Sequence, residues 1–219
     1  MIRHHPGDEL LLSLAAGRLR AGLGVVVGAH LEGCATCRER LQMLEAVGGA
    51  MLERSEPQPM AANALASALQ RISREETPAG PRRRAPAPSS PGLPPGLPWP
   101  ASLGGCEAAP WRWMGAGRRI SRITVPHDPQ ASVFLLRIDP GGAFPRHGHA
   151  QLELTQVLCG AFSDGRSVFG PGDFDSADEG VHHEPVVEAG SVCVCLTALE
   201  GPLTFDGRMA AAMARWLMG

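Results

Sequence analysis

The sequence predicts a two-domain α + β chain: a small helical bundle over residues 1–77, a proline-rich linker over 78–100 and an antiparallel β-barrel over 101–219. Three observations carry this. Apolar residues recur at helical spacing from Asp8 to about Arg74, a Pro/Ala/Gly/Ser/Arg tract follows, and beyond Trp111 short alternating runs are punctuated by glycine, proline and aspartate.

Leu10, Leu11 and Leu14 form a first apolar stripe, Leu41, Leu44, Val47 and Met51 a second, and Leu65, Leu69 and Ile72 a third, which gives three or four short helices. Pro6 suits a first helical turn. Gly48 and Gly49 weaken the third helix, and Pro57 and Pro59 separate it from the fourth. A unit this small has a thin core, and such units are commonly completed by a metal or a partner. From Thr77 to about Pro100 the proline-rich stretch reads as a semi-extended, solvated linker, in which Arg82, Arg83 and Arg84 are solubilising rather than a nucleic-acid patch. Strands are expected over Arg119 to Val125, Val133 to Ile138, Leu152 to Cys159 and Ser191 to Leu199. Arg208 to Leu217 is apolar and compatible with a helix.

The formal net charge is −2, the pI is near 6.4, and every basic residue is arginine, so no overall field favours nucleic acid and no direct DNA binding is expected. No apolar run approaches the roughly 20 residues needed to span a bilayer, and Met1-Ile2-Arg3-His4-His5 lacks a signal-peptide segment. The expectation is a cytoplasmic protein without membrane association. Six cysteines in that compartment read as ligands, buried thiols or sensors rather than a disulfide framework.

His30-x3-Cys34-x2-Cys37, with His5 far upstream, offers the two imidazoles and two thiolates that close a tetrahedral structural zinc site. On one helix, His30 and Cys34 would share a face, and the two-residue gap to Cys37 is that of zinc knuckles and fingers. His4 is an equivalent fourth ligand by spacing. A redox C-x-x-C competes with this reading, but no thioredoxin-like strand precedes the motif.

In the C-terminal half, His147, His149 and Glu153 occupy odd positions, so that a single strand would aim all three into the barrel. His183, from an opposing strand, could complete a four-ligand set, with His182 as the alternative by spacing. Imidazole and carboxylate suit zinc, iron, manganese or nickel. Cys159 shares the parity of this face if its strand is unbroken, and Cys193 and Cys195 share a face of their own. Packing is the better reading for all three.

Gly141-x5-His147-x-His149-x3-Glu153-x6-Gly160 resembles the first cupin motif in full, and Pro171-Gly172-Asp173 resembles the turn of the second, with a longer spacing to His183. The N-terminal set is similar to the zinc-binding anti-sigma domain. Its union with a cupin resembles the ChrR-type anti-sigma factors over nearly the whole chain, supported by Ile2-Arg3-His4-His5, Ala46-Val47-Gly48-Gly49 and Leu152-Glu153-Leu154-Thr155. The resemblance implies His5 and His183 as the ligands in each histidine pair.

It also implies a one-to-one complex in which the helical domain occludes an extracytoplasmic-function sigma factor, with the cupin as sensor. Release on singlet oxygen or organic hydroperoxide follows from the same likeness. The exposed face of the fourth helix, with Leu65, Leu69 and Ile72, would contribute to that interface. A rival reading is a metal-dependent cupin dioxygenase or isomerase with a helical accessory domain, since the fold supports many chemistries. Zinc is expected in the N-terminal domain, and zinc or another divalent metal in the barrel.

Overall fold

The computed structural model describes residues 1–75, 92–126 and 128–205. Most of the linker, including Arg82 to Arg84, and the stretch Arg208 to Leu217 lie outside the described residues.

Four helices come first: α1 (Asp8–Ala15), α2 (Ala21–Gly33), α3 (Ala35–Glu53) and α4 (Ala64–Glu75). Two local expectations change. Pro6 precedes the first turn, because Gly7 takes the extended conformation of an N-cap and the helix begins at Asp8. Gly48 and Gly49 do not end α3, which continues for 19 residues, long enough for its other hydrogen bonds to carry two weak positions. Helix α2 (AGLGVVVGAHLEG) is apolar on nearly every side, the pattern of a helix enclosed by the rest of the molecule.

The barrel strands are β1 (Glu107–Ala108), β2 (Arg112–Trp113), β3 (Arg118–Val125), β4 (Asp128–Ile138), β5 (His147–His149), β6 (Glu153–Cys159), β7 (Phe162–Ser163), β8 (Val168–Phe169), β9 (Phe174–Ala177), β10 (His182–His183), β11 (Val186–Val187), β12 (Cys193–Leu199) and β13 (Leu203–Phe205). A seven-stranded sheet runs β1–β3–β4–β12–β6–β9, with β2 also pairing to β3. Two three-stranded sheets, β10–β5–β13 and β11–β7–β8, complete a cupin-type barrel whose ladders, among the described residues, are not joined into one closed ring. All pairings are antiparallel.

Strand alternation divides the interior into two cores. Phe134 and Ile138 of β4, Val157 of β6 and Cys193 and Cys195 of β12 face the barrel lumen. Val133, Leu135, Leu154, Val194, Leu196 and Ala198 face the other way and pack with Leu11, Leu23, Val26 and Val27 of the helices. The large sheet is therefore covered on both sides. Each fully buried valine or leucine contributes about 1.5–3 kcal/mol to this seam. Gly22 lets α2 approach β4 closely, since a Cβ there would stand 2.9 Å from the Ala131 Cβ and 3.0 Å from Val133 Cγ2. Leu93, Leu97 and Trp99, in the described end of the predicted linker, also pack on this core.

Of the three sequence stripes, only the first is substantially covered. Leu44 touches the shared core, but Val47 and Met51 of α3 are exposed, as are Leu65, Leu69 and Ile72 of α4. Among the described residues no helix is long and apolar enough to cross a membrane.

Candidate metal centres

Cys34 has an extended conformation (φ −109°, ψ 103°) that ends α2 and caps α3. It therefore does not share a helix face with His30, contrary to the sequence expectation. The break turns the chain so that His30 in the last turn of α2, Cys34 at the junction and Cys37 in the first turn of α3 converge. His5 reaches them from the N-terminal segment: its Nδ1 lies 3.4 Å from Cys34 Sγ and 3.3 Å from Cys37 Sγ, and His30 Nε2 lies 3.3 Å from Cys37 Sγ. His4 instead sets its ring against Phe169, with centroids 4.6 Å apart.

The four donor atoms all lie within 4.8 Å of one another. Bonds of 2.0–2.3 Å to a tetrahedral zinc give ligand–ligand edges of about 3.3–3.8 Å, so the donor set and its spacing fit that ion. His30 is buried, and burial lowers its pKa, which keeps the imidazole neutral and available as a ligand. Burial, with the neighbouring Cys34, pushes the Cys37 thiol up to about 12, and a cation held between these donors would supply the stabilisation that its thiolate otherwise lacks.

In the barrel, β5 pairs with β10 so that His183 lies opposite His147 and His182 opposite Gly148. His183 Nε2 stands 3.1 Å from Nε2 of both His147 and His149. The His147 Nδ1–H donates to the Pro145 carbonyl at 2.8 Å, which leaves its Nε2 lone pair directed at the cluster. His182 is exposed and lies over Gly148, outside the cluster.

Glu153 does not continue the strand of His147 and His149, because Ala150–Leu152 bend between β5 and β6. It reaches the same place from the other sheet. Its Oε2 lies 3.4 Å from His149 Nδ1 and 3.9 Å from His147 Nε2, outside the three-imidazole group that is mutually within 4.8 Å. Burial lowers the pKa of His147 to about 3 and of His149 to about 4. Burial, aided by the Asp175 charge, raises Glu153 to about 8. Three neutral imidazoles whose Nε2 atoms converge, with a neighbouring carboxyl that cannot easily hold a charge, form a set that a divalent cation would satisfy.

The lumen beside these groups holds a cavity of about 40 Å³, lined mainly by apolar side chains with Glu153, Asp175 and Cys193 among them. Cys193 and Cys195 are buried and not joined by a disulfide, with Sγ atoms 3.7 Å apart. Cys159 faces away from the lumen. A bulge opposite Val194 and Cys195 pairs Cys195 with Val157 and Val194 with Cys159, so the parity expected for an unbroken strand is lost at Leu158. Cys106 is buried in the core shared with the helices.

Several residues around these clusters were not singled out from sequence. Asp164 lies 3.7 Å from His183 Nδ1, and the Arg166 guanidinium joins Asp164 to Asp175. On the other side of β6, Gln156 accepts a hydrogen bond from His30 at 3.0 Å. A polar residue between Leu154 and Leu158 on an otherwise apolar outer face was the available signal, since a buried amide needs a partner.

Residues 102–203 match the family model described as ChrR cupin-like domain. Over 209 residues the sequence is 41% identical to the anti-sigma-E factor ChrR of Cereibacter sphaeroides, covering 94% of this chain and 93% of that protein. Among solved structures, Rhodobacter sphaeroides SigE in complex with the anti-sigma ChrR matches with a TM-score of 0.73 and 36% identity, covering 91% of this chain and all of the matched one. With both the helical cluster and the barrel included in that similarity, the chain belongs to the ChrR family.

Proposed function

We propose that this protein is an anti-sigma factor that holds an extracytoplasmic-function sigma factor in a one-to-one complex, a regulator rather than an enzyme. The observation that carries the reading is similarity along the whole length, helical unit included, to a chain whose solved structure is a complex with its sigma factor. The physical support is surface chemistry. Met43, Val47 and Met51 line one side of α3, and Leu65, Leu69 and Ile72 one side of α4, with the α4 residues 54–71% exposed. Apolar stripes of this kind on a helix suit a groove in a partner.

In this reading His5, His30, Cys34 and Cys37 hold zinc as a structural staple, which fixes the α2–α3 junction and the N-terminal segment. His147, His149 and His183, with Glu153, hold zinc or another divalent ion in the barrel. The barrel is the sensing module, and an oxidant such as singlet oxygen or an organic hydroperoxide is its input. Support for that input comes from two neighbouring cysteines, Cys193 and Cys195, whose Sγ atoms lie 3.7 Å apart beside the lumen cavity.

Co-expression with a candidate extracytoplasmic-function sigma factor, purification through a tag on the sigma and metal analysis test the proposal. A one-to-one complex with two metal ions per inhibitor is expected, with sigma released on oxidant treatment. Failure to co-purify with any such sigma factor, together with turnover of a small substrate by an iron-loaded barrel, would replace it with the enzyme reading.

A further inference from the structure

The four donors of the N-terminal cluster are positioned by two different parts of the molecule. Cys34 and Cys37 are set by the α2–α3 junction, but both histidines are held by the barrel. The ring of His30 is 1% exposed, and its Nδ1 faces two acceptors: the Gln156 side-chain oxygen at 3.0 Å and the Gly172 carbonyl at 3.1 Å. The Gln156 amide nitrogen is committed to the Val157 carbonyl at 3.0 Å, which fixes the oxygen toward His30. Two acceptors place the proton on Nδ1, and the lone pair is then on Nε2, the atom that faces Cys37.

His5 is placed through the residues just before it. The backbone N–H groups of Arg3 and His4 donate to one oxygen of Asp173 at 2.6 and 3.0 Å, and the Phe174 N–H donates back to the His4 carbonyl at 3.1 Å. The other Asp173 oxygen accepts from Gly170 at 2.9 Å, so the carboxylate is anchored to its own turn. Gly172, at φ +88°, leaves the seat for Ile2, since a Cβ there would stand 2.8 Å from the Ile2 side chain.

The same strands serve the barrel cluster from their opposite faces. On β6, Glu153 and Thr155 face the lumen and Gln156 faces His30. On β9, Asp175 faces the lumen while Phe174 packs edge-on against His30 with ring centroids 5.6 Å apart.

We propose that Gln156 and Asp173 of the barrel are positioning residues for the thiolate–imidazole metal site, so that metal retention in the helical unit depends on the seating of β6 and the Gly170–Phe174 turn. The proposal rests on the reading that His5, His30, Cys34 and Cys37 bind metal. It gives the barrel a direct handle on the helical unit. A change at the lumen face of β6 or β9 alters the hydrogen bonds that orient His30 and His5, and loss of metal reciprocally loosens the barrel's hold on the N-terminal segment.

The test uses the full-length chain loaded with cobalt(II), because thiolate-to-cobalt absorption reports the Cys34/Cys37 site and not the imidazole–carboxylate site of the barrel. Under challenge with a chelator, Gln156→Leu is expected to lose this band about 10–100-fold more readily than wild type, the range typical of lost partners behind a ligating histidine. Gln156→Glu, which keeps an acceptor for the His30 Nδ1–H, is expected to retain it.

Equal retention by wild type and Gln156→Leu, or equal loss by both variants, overturns the proposal. A readout in the wild-type chain covers a Gln156→Leu protein that does not fold. The Phe174 amide is expected to exchange at least tenfold faster once the thiolate band has been bleached, and unchanged exchange overturns the proposal independently. Absence of any thiolate–cobalt band in the wild-type chain would instead sink the metal reading itself.

Discussion

His183 stands with its Nδ1 3.7 Å from the Asp164 carboxylate, while its Nε2 lies 3.1 Å from the facing nitrogens of His147 and His149. Asp164 is itself tied down by the backbone N–H groups of Arg166 and Ser167, each at 2.9 Å, and by the Arg166 guanidinium. Burial pushes the Asp164 carboxyl up, but these donors and the guanidinium outweigh it and hold its pKa below the ordinary value. The carboxylate thus restrains the imidazole from behind without touching the ligand position. Asp164→Ala is expected to weaken barrel metal binding about tenfold, the lower end of the range for outer partners, because 3.7 Å is too long for a full hydrogen bond. Metal content after dialysis against graded chelator measures it. The thiolate site should be unaffected, and equal loss from both sites would point to general unfolding instead.

The contact between α2 and the sheet makes a pair of predictions with opposite signs. Gly22 lies against Ala131 and Val133, whereas a Cβ at Gly24, one half-turn away, would meet nothing within 4 Å. Gly22→Val should therefore force α2 off β4 and destabilise the protein by about 1–3 kcal/mol, the usual range for overpacking. Gly24→Ala should be neutral to stabilising by up to about 1 kcal/mol through helix propensity. Urea unfolding of the two variants decides it. Similar effects from both would mean that the seam between helix and sheet is not closely packed.

The pair also marks where sequence reading stops. The helices, the long strands and part of each cluster were legible from local spacing, His30, Cys34 and Cys37 within eight positions and His147 with His149 on one strand face, whereas His5 and His183 are set apart from their neighbours only by the family resemblance. The long-range geometry was not legible. Nothing local in Cys34 indicates that it breaks the helix, and the bend at Ala150–Leu152 moves Glu153 to a different sheet while leaving its parity with His149 unchanged in the sequence. The bulge at Leu158 likewise reverses Cys159. Strand alternation marks Gln156 only as a polar residue on an apolar face, and the partners of Gln156 and Asp173 come from packing of α2 and the N-terminal segment on the barrel, a tertiary contact that no periodicity encodes.

The exposed stripe on α4 is expected to carry sigma binding. Leu65→Asp combined with Leu69→Asp replaces two exposed apolar side chains and should leave the fold intact, because neither residue is buried. Loss of at least about tenfold in sigma affinity is expected, since a few buried apolar anchors carry most of the energy of such interfaces. Titration of a purified sigma factor with the double variant measures it, with circular dichroism as the check on folding. Wild-type affinity in a folded double variant would remove α4 from the interface and turn attention to the exposed Met43, Val47 and Met51 face of α3.

Asp173 gives the seating of the N-terminal segment a defined acid dependence. Burial raises its carboxyl, but the backbone N–H donors of Arg3, Gly170 and His4, with the charge of His4, outweigh that effect and hold its pKa below the ordinary value of 3.8. His4 and His30 are the titratable groups that interact with it, and its other partners are backbone amides. A carboxyl whose folded pKa lies below its unfolded one stabilises the folded state above the unfolded value, about 3.9, and that contribution is lost as the pH falls through the lower folded value. At pH 6, Asp173→Asn should cost about 1–3 kcal/mol, because charged acceptors for three backbone donors are replaced by a neutral one. The gap between wild type and variant should then close below about pH 4, while losses common to both, including protonation of the metal-binding residues, cancel in the difference. Urea unfolding at a series of pH values reads this directly, and a gap that stays constant from pH 6 to pH 3 would show that the Asp173 charge does not hold the N-terminal segment in place.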